Sequence, residues 1–200
     1  MPLIKLNNRS IKDVTSLPFG VGNLIHIQSQ TANNSASISF TTGINSTYKE
    51  YQFWFIDIHP RTDGTTFTFQ GSTDGGSNYG INITSTHFSA FHAESGSESG
   101  LAYNTDADLA QSTSFQAITK TDNFGNDADH SLGGNLSLFN PASTTYVKHF
   151  ISRGSFNHLA DYARDSFVGG YFNTTSAINA IQFKMSSGNF DGTIALFGVV

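Results

Sequence analysis

The sequence predicts an all-β fold, an antiparallel β-sandwich of the jelly-roll type with an extended N-terminal arm. Apolar and hydroxyl side chains alternate with a period of two in many short stretches, and turn residues separate these stretches at short intervals. Almost no stretch has a helical period. About nine or ten short strands of this kind are typical of a sandwich in which long-range pairing links the first and last strands.

The first half of the chain contains four predicted strands. Residues 36–40 alternate Ala, Ile and Phe with Ser, which predicts a strand with one wet face. Residues 51–58 are apolar on both faces, which predicts a central strand that is covered on both sides. Residues 67–70 and 79–83 flank the turn-forming sequence GSTDGGSN, and we expect them to pair as a hairpin.

The second half contains two predicted loops and the remaining strands. Residues 92–104 and 121–130 are polar and are predicted to be exposed loops, and DADLAQ predicts at most one helical turn. Strands are predicted over residues 112–118, 132–139, 145–151 and 167–172, followed by a final hairpin of residues 181–185 and 194–200. Because a chain end frays unless something holds it, the apolar run that continues to Val200 predicts a C-terminal strand inside a sheet.

Length and composition predict one domain, residues 25–200, preceded by the arm, residues 1–24. Ser, Thr, Asn and Gly together account for 82 of the 200 residues while charged residues reach only 12%, so the predicted surface is neutral and rich in hydroxyl groups. The chain has no cysteine, so packing rather than disulfides must stabilise it. No apolar run near the start is long enough for a signal peptide or a membrane span, so we expect synthesis in a cytoplasm and no membrane partner.

Charge is distributed unevenly along the chain. The net charge of −5 disfavours nucleic acid as a partner, whereas residues 1–49 carry +3 and residues 86–147 carry −6. One interpretation is two solvated patches without a role. The other is an arm that docks on an acidic neighbour. In the second interpretation the candidate particle-docking residues are the apolar anchors Ile4 and Leu6 and the basic residues Lys5 and Arg9.

The residues predict no enzyme, no cofactor and no metal site. The seven histidines lack the spacing of a zinc motif, although three could still converge in space. The segment DNFGNDADH, residues 122–130, has the acids and amides of a calcium loop but not the spacing of an EF-hand, so a structural calcium and a plain solvated loop both stay open. No GxSxG nucleophile elbow occurs, and the glutamates are few.

Five segments carry a resemblance to a known group of proteins. They are IKLNNRSIKDVTSLP, TGINSTYKEYQFWFIDIHP, FQGSTDGGSNY, SLFNPASTTYVKHF and GYFNTTSAINAIQFKMSSGNFDGTIALFGVV. Together they resemble small virion proteins of tailed bacteriophages, especially marine ones, and the likeness covers nearly the whole chain. The resemblance implies a jelly-roll component of the phage exterior and brings no catalytic residues with it.

The resemblance implies a non-enzymatic structural protein of the virion, assembled in the host bacterial cytoplasm. The first expectation is a capsid decoration protein whose arm grips the major capsid protein, and by analogy a homotrimer. The alternative is a tail-fibre or appendage module, bound to tail or fibre proteins, that recognises host surface glycans. In that alternative the glycan lies against loops such as residues 87–103, with Phe91, Tyr103 and Asn104.

Overall fold

Twelve antiparallel strands, and no helix, form residues 24–200, which are the residues that the computed structural model describes. None of these residues therefore belongs to a helix that could cross a membrane. In chain order the strands are β1 (Leu24–Ser35), β2 (Ile38–Phe40), β3 (Glu50–Pro60), β4 (Phe67–Ser72), β5 (Ile83–Ala93), β6 (Ser99–Tyr103), β7 (Gln116–Ala117), β8 (Leu132–Phe139), β9 (Lys148–His158), β10 (Tyr162–Phe172), β11 (Ala180–Met185) and β12 (Phe190–Val199).

The strands form two sheets of unequal size. The larger sheet has eight strands in the order β1-β12-β3-β8-β9-β10-β5-β6, and the smaller has four in the order β2-β11-β4-β7. We call β1, β12, β3 and β8 the near half of the larger sheet and β9, β10, β5 and β6 its far half. The near half packs on the smaller sheet.

The chain changes sheet between several successive strands. It passes from β1 to β2, from β3 to β4, from β7 to β8 and from β11 to β12, each time between the near half and the smaller sheet. This alternation favours the predicted jelly roll, in which two four-stranded sheets share the strands of two Greek keys. In that interpretation the far half is an extension of one sheet.

An aromatic core joins the near half to the smaller sheet. Phe183 of β11 lies at its centre and is fully buried. Its ring centroid lies 5.3 to 6.3 Å from the centroids of five other phenylalanines, namely Phe40, Phe53, Phe55, Phe67 and Phe69. Several of these pairs meet edge to face, the arrangement that aromatic quadrupoles favour.

The far half is covered partly by the smaller sheet, where Phe69 of β4 contacts Phe150 of β9 and Phe172 of β10, and partly by irregular chain. Residues 104–125 run across its inner face, where Asn104 N donates to His87 O at 2.9 Å and Ser85 N donates to Leu109 O at 2.9 Å. Ile83 and Ser112 exchange two further backbone hydrogen bonds. The covering segment thus satisfies polar groups that a regular sheet would otherwise pair.

The predicted all-β antiparallel sandwich is confirmed. The C-terminal strand β12 lies between β1 and β3, so the first and last strands pair as expected. The predicted strand over residues 132–139 coincides with β8. The predicted arm, with Ile4, Lys5, Leu6 and Arg9, lies outside the described residues apart from Leu24, which begins β1.

The predicted hairpins are wrong. Residues 67–72 pair with β11 and β7 in the smaller sheet, whereas the strand that begins at Ile83 pairs with β10 and β6 in the larger one. In the same way β11 and β12 lie in different sheets. A period-two pattern shows which side chains share a face of a strand. It does not show which other strand lies beside it, so the expectation that consecutive strands pair with each other fails here.

The loop and helix predictions also need correction. Residues 92–104 are largely strand, since β5 ends at Ala93 and β6 spans Ser99–Tyr103, and DADLAQ forms turns without a helix. The strand predicted over 112–118 shrinks to the two residues of β7. β6 begins with Ser99 and Gly100 and follows a run of Glu, Ser and Gly, so the composition of this stretch is that of a loop.

The central strand β3 is covered on one side only. Tyr51, Phe53 and Phe55 are buried, whereas Trp54 and Ile56 are exposed. A bulge at Asp57, which has a positive φ of 51°, then shifts the register so that Ile58 points into the core again. The period-two pattern therefore breaks within the strand, and the prediction of two covered faces is wrong.

Candidate functional site

The most distinctive surface is the outer face of the larger sheet, the side turned away from the smaller sheet. Large apolar side chains are exposed there on both halves, including Trp54 at 42%, Ile151 at 58% and Leu101 at 71%. A sheet face that carries several such residues is the usual sign of a binding surface, because isolated soluble domains seldom expose contiguous apolar area.

One row of side chains crosses all eight strands of this face in continuous register. From β1 to β6 the row contains Ser29, Ala195, Trp54, Asn135, Arg153, Phe167, Phe88 and Tyr103. With strands about 4.8 Å apart, the row is roughly 34 Å long. After the terminal Ser29, the row is apolar or aromatic at Ala195 and Trp54, polar at Asn135 and Arg153, and aromatic from Phe167 to Tyr103.

Stacked aromatic rings form the far end of the row. Phe88 and Phe167 lie parallel, with centroids 4.9 Å apart and planes 6° apart. Above Phe167 lies the guanidinium of Arg153, 4.9 Å from the ring centroid. Arg153 also donates to both carboxylate oxygens of Asp165, with Nη2 2.6 Å from Oδ2, and this partner raises the pKa of Arg153.

Tyr103 ends the row on the edge strand β6. Its hydroxyl donates to Asp108 Oδ2 at 2.5 Å, and this hydrogen bond to a carboxylate raises the pKa of Tyr103. The bond fixes the exposed ring relative to the covering segment. Tyr103 is therefore held by β5 through its strand pairing and by the covering segment through its hydroxyl group.

Trp54 dominates the near end of the row. Its ring lies 5.3 Å from that of Phe197, and its Nε1 donates to Gln52 Oε1 at 3.1 Å. Gln52 in turn donates to Glu50 Oε1 at 2.8 Å. The indole is thereby oriented by a hydrogen-bonded chain along β3 while one of its sides faces solvent.

Shallow grooves flank the row where side chains are small or absent. One groove of about 380 Å³ is lined by Gln52, Trp54, Gly134 and Asn135. Two others, of about 210 and 340 Å³, share Ser155 and Ala163 and lie on the far half. The outer face thus has protruding aromatic side chains next to shallow polar grooves. A surface of this shape is suited to contact with another molecule.

A buried polar cluster lies on the opposite, inner face of the far half. Asn104 Nδ2 lies 3.0 Å from His87 Nδ1 and donates to Ser89 Oγ at 3.0 Å, and Arg164 Nη1 donates to the same oxygen at 3.2 Å. Three further atoms in the cluster are buried and have no hydrogen-bond partner within residues 24–200: His87 Nε2, Arg164 Nε and Ser166 Oγ. Buried polar atoms are normally paired, so the cluster is under-satisfied for a protein interior.

Burial shifts the ionisation of this cluster toward neutral forms. Removal from water lowers the pKa of His87 to about 4, and it also lowers the pKa of Arg164. His87 is therefore uncharged at neutral pH, and its ring is fully buried. We therefore assign the cluster to the interior of the fold.

The acidic stretch predicted from the sequence contributes to a separate pocket beside β7. Asp106, Asp108 and Asp122 line this pocket of about 300 Å³ together with Thr66 and Thr68. Lys120 Nζ bonds Asp106 Oδ2 at 2.7 Å and neutralises part of the charge. The acids are thus partly compensated within the chain.

The structure changes the residues proposed for glycan contact. Phe91 lies half-buried under the guanidinium of Arg164, and Asn104 is buried in the polar cluster. Tyr103 alone of the three lies exposed on the outer face. Sequence analysis missed Phe88, Arg153 and Phe167, because only the register across several strands brings them together.

Comparison with family models, with curated proteins and with solved structures found no match to the chain.

Proposed function

We propose that the chain is a non-enzymatic structural protein on the exterior of a tailed-phage virion, and specifically a capsid decoration protein. Residues 1–24 attach it to the major capsid protein, and the outer face of the larger sheet contacts a neighbouring copy in a homotrimer. The observation that carries the proposal is the exposed row on that face. The resemblance of the sequence to phage virion proteins supplies the setting.

The chemistry of the row supports a protein contact. Trp, Tyr and Arg are the residues most enriched at the energetic centres of protein interfaces, and the row contains Trp54, Arg153 and Tyr103. These side chains are already oriented by hydrogen bonds and ring contacts, so little conformational entropy is lost on binding. The bidentate partner of Arg153 also leaves no unpaired charge to bury.

Two variants and a matched control test this proposal. We expect a chain without residues 1–15 to keep its β-type circular dichroism spectrum but to lose co-sedimentation with purified particles. We expect Phe88→Ser to lower the fraction of trimer in native mass spectrometry at equal protein concentration. Tyr146→Ser is the control, since Tyr146 is 70% exposed but lies in a loop away from the row.

Two results would contradict the proposal. Retained co-sedimentation of the truncated chain rejects the arm as the anchor. Equal oligomeric states for Phe88→Ser, Tyr146→Ser and the unchanged chain reject the outer face as the contact between copies. If the number of copies per particle matches the symmetry of the tail and not that of the capsid lattice, the chain belongs to an appendage.

A second candidate function rests on the groove beside Trp54. An exposed indole next to the side-chain amide of Asn135, which makes no hydrogen bond within residues 24–200, offers a stacking platform and polar groups for a sugar ring. In this alternative the chain is a receptor-binding module for host surface glycans. A glycan array decides between the two: binding that Trp54→Ala abolishes and Tyr146→Ser retains supports the module, and no binding by multivalent protein rejects it.

A further inference from the structure

We propose that Asp127, His130 and Asp161 form a binding site for a divalent first-row transition-metal cation, with Zn²⁺ the best match. One carboxylate oxygen of each aspartate and one ring nitrogen of His130 all lie within 4.8 Å of one another. The sequence predicted no metal, and this proposal is independent of the function proposed above.

Two separate turns bring the three residues together. Asp127 and His130 belong to one turn, closed by a hydrogen bond from His130 N to Asp127 O of 2.8 Å, which places side chains three residues apart on the same side. Asp161 lies in the connection between β9 and β10, where its N donates to His158 O at 3.0 Å. A cation held by all three would tie the turn before β8 to the β9–β10 connection.

The burial of His130 is the independent observation that points to a ligand. The side chain is only 7% exposed, and its Nε2 lies 3.8 Å from Asp127 Oδ2, which is too long for a hydrogen bond. Its Nδ1, which lies against Gly125, is buried and has no hydrogen-bond partner among the described residues. An imidazole with neither nitrogen hydrogen-bonded to residues 24–200 lacks the pairing that buried polar groups normally have.

The space around the ring is shaped for it. A Cβ placed on Gly125 would overlap His130 Nδ1, so the absence of a side chain at residue 125 lets the imidazole lie against the backbone. Both aspartates are exposed, so their carboxylates are free to rotate toward Nε2. The position of the imidazole ring is thus fixed, whereas the two carboxylates can rotate to complete the coordination of a cation.

The ligand set matches zinc better than calcium. Zn²⁺ binds imidazole nitrogen and carboxylate oxygen at about 2.0 to 2.2 Å, and tetrahedral geometry then separates ligand atoms by about 3.3 to 3.6 Å. The 3.8 Å between Nε2 and Asp127 Oδ2 is close to that separation. Calcium takes oxygen ligands only, so an imidazole at the centre of the cluster disfavours the calcium loop considered for this segment. The fourth position is left for water.

Asp161→Asn is the decisive variant. Asp161 has a positive φ of 59°, a conformation that Asn tolerates well, so the change removes the charge without straining the turn. Asp129→Asn is the matched control, because Asp129 is an exposed acid of the same turn as Asp127 and His130 but lies outside the cluster. Both substitutions are on the surface, and we expect both variants to fold.

The measurement uses the full chain after treatment with a chelator. We expect Co²⁺ to give visible absorption bands of a low-coordinate site, and Zn²⁺ to displace it and to bind Asp161→Asn at least tenfold more weakly than the unchanged chain or Asp129→Asn. We also expect Zn²⁺ to slow amide hydrogen exchange at residues 126–131 and 158–162. Equal zinc affinity in the two variants, absence of the cobalt bands, or stronger binding of Ca²⁺ than of Zn²⁺ would each overturn the proposal.

Discussion

The two halves of the larger sheet are stabilised in different ways. The near half packs on a second sheet through interlocking phenylalanines, with Phe183 at their centre. The far half packs on the smaller sheet through the contacts of Phe69 with Phe150 and Phe172. Beyond them it packs on irregular chain through hydroxyl, amide and imidazole groups, with Ser89 accepting two hydrogen bonds. One continuous sheet thus has a core of close-packed rings at one end and a largely hydrogen-bonded core at the other.

This difference has an energetic consequence. Burial of aromatic rings is favourable in any geometry that excludes water, whereas a buried polar network stabilises only as far as its members are paired. Three atoms of the buried polar cluster in the far half are unpaired in the part of the chain that the structure describes. We therefore expect the near half to set the global free energy of unfolding and the far half to open first.

The largest effect is expected from Phe183→Ala. The substitution removes the ring that contacts five other phenylalanines and leaves a cavity, so we expect the free energy of unfolding to fall by about 3 to 5 kcal/mol. Urea denaturation followed by tryptophan fluorescence measures this change.

Phe88→Ala is the control for that prediction, because Phe88 lies on the outer face at 39% exposure. We expect it to cost about 1 kcal/mol. Similar losses for the two variants would contradict the idea that the near half dominates stability.

The second effect is a pH dependence that arises in the far half. The folded-state pKa of His87 is about 4 and its ordinary value is 6.5, so the unfolded chain binds the proton first as the pH falls. Stability is therefore fully present above about pH 6.5 and is lost toward pH 4, by about 3 kcal/mol at about 1.4 kcal/mol per pH unit. Burial also lowers the pKa of His158, which adds to the loss in the same direction.

Denaturation curves of the unchanged chain and of His87→Gln between pH 4 and pH 7.5 test this. We expect the variant to be less stable at neutral pH but to show a much flatter profile. A profile of unchanged slope would show that His87 does not carry the dependence.

The smallest effects come from a matched pair of serines that face each other across β5 and β10. Ser166 Oγ is buried and has no partner in the described chain, so Ser166→Ala should leave the free energy of unfolding unchanged or raise it by up to about 1 kcal/mol. Ser89→Ala removes an acceptor shared by Asn104 and Arg164 and should lower it by about 1 to 3 kcal/mol. Equal changes in the two variants would mean that solvent satisfies both hydroxyls alike.

The same contrast explains which parts of the fold could be predicted. In the near half the inward positions are aromatic or aliphatic, so alternation locates strands such as β8 and the buried end of β12. In the far half the inward positions of β5 are Ser85, His87 and Ser89, so polar side chains lie on both faces and the pattern is weak. A hydrophobic period cannot mark a strand whose buried face is hydrophilic.

The candidate site could be predicted only in part. Trp54 is conspicuous in the sequence, but its exposure depends on the smaller sheet covering only the opposite face of β3. The partners Arg153, Phe167 and Phe88 come from three strands whose register is set by the whole sheet. Likewise Asp127 and His130 lie in the segment singled out for its acids, whereas Asp161 is distant in sequence and joins them only through the fold.

Residues 104–115 connect the outermost strand of the larger sheet, β6, to the edge strand of the smaller sheet, β7. This segment therefore links the two sheets covalently beside β5 and β6. A single proteolytic cut between residues 104 and 115 would leave the strands paired but would let water reach the side chains of His87 and Arg164 beneath the segment. The rate of proteolysis within residues 104–115 therefore measures how often the buried polar cluster becomes accessible to solvent.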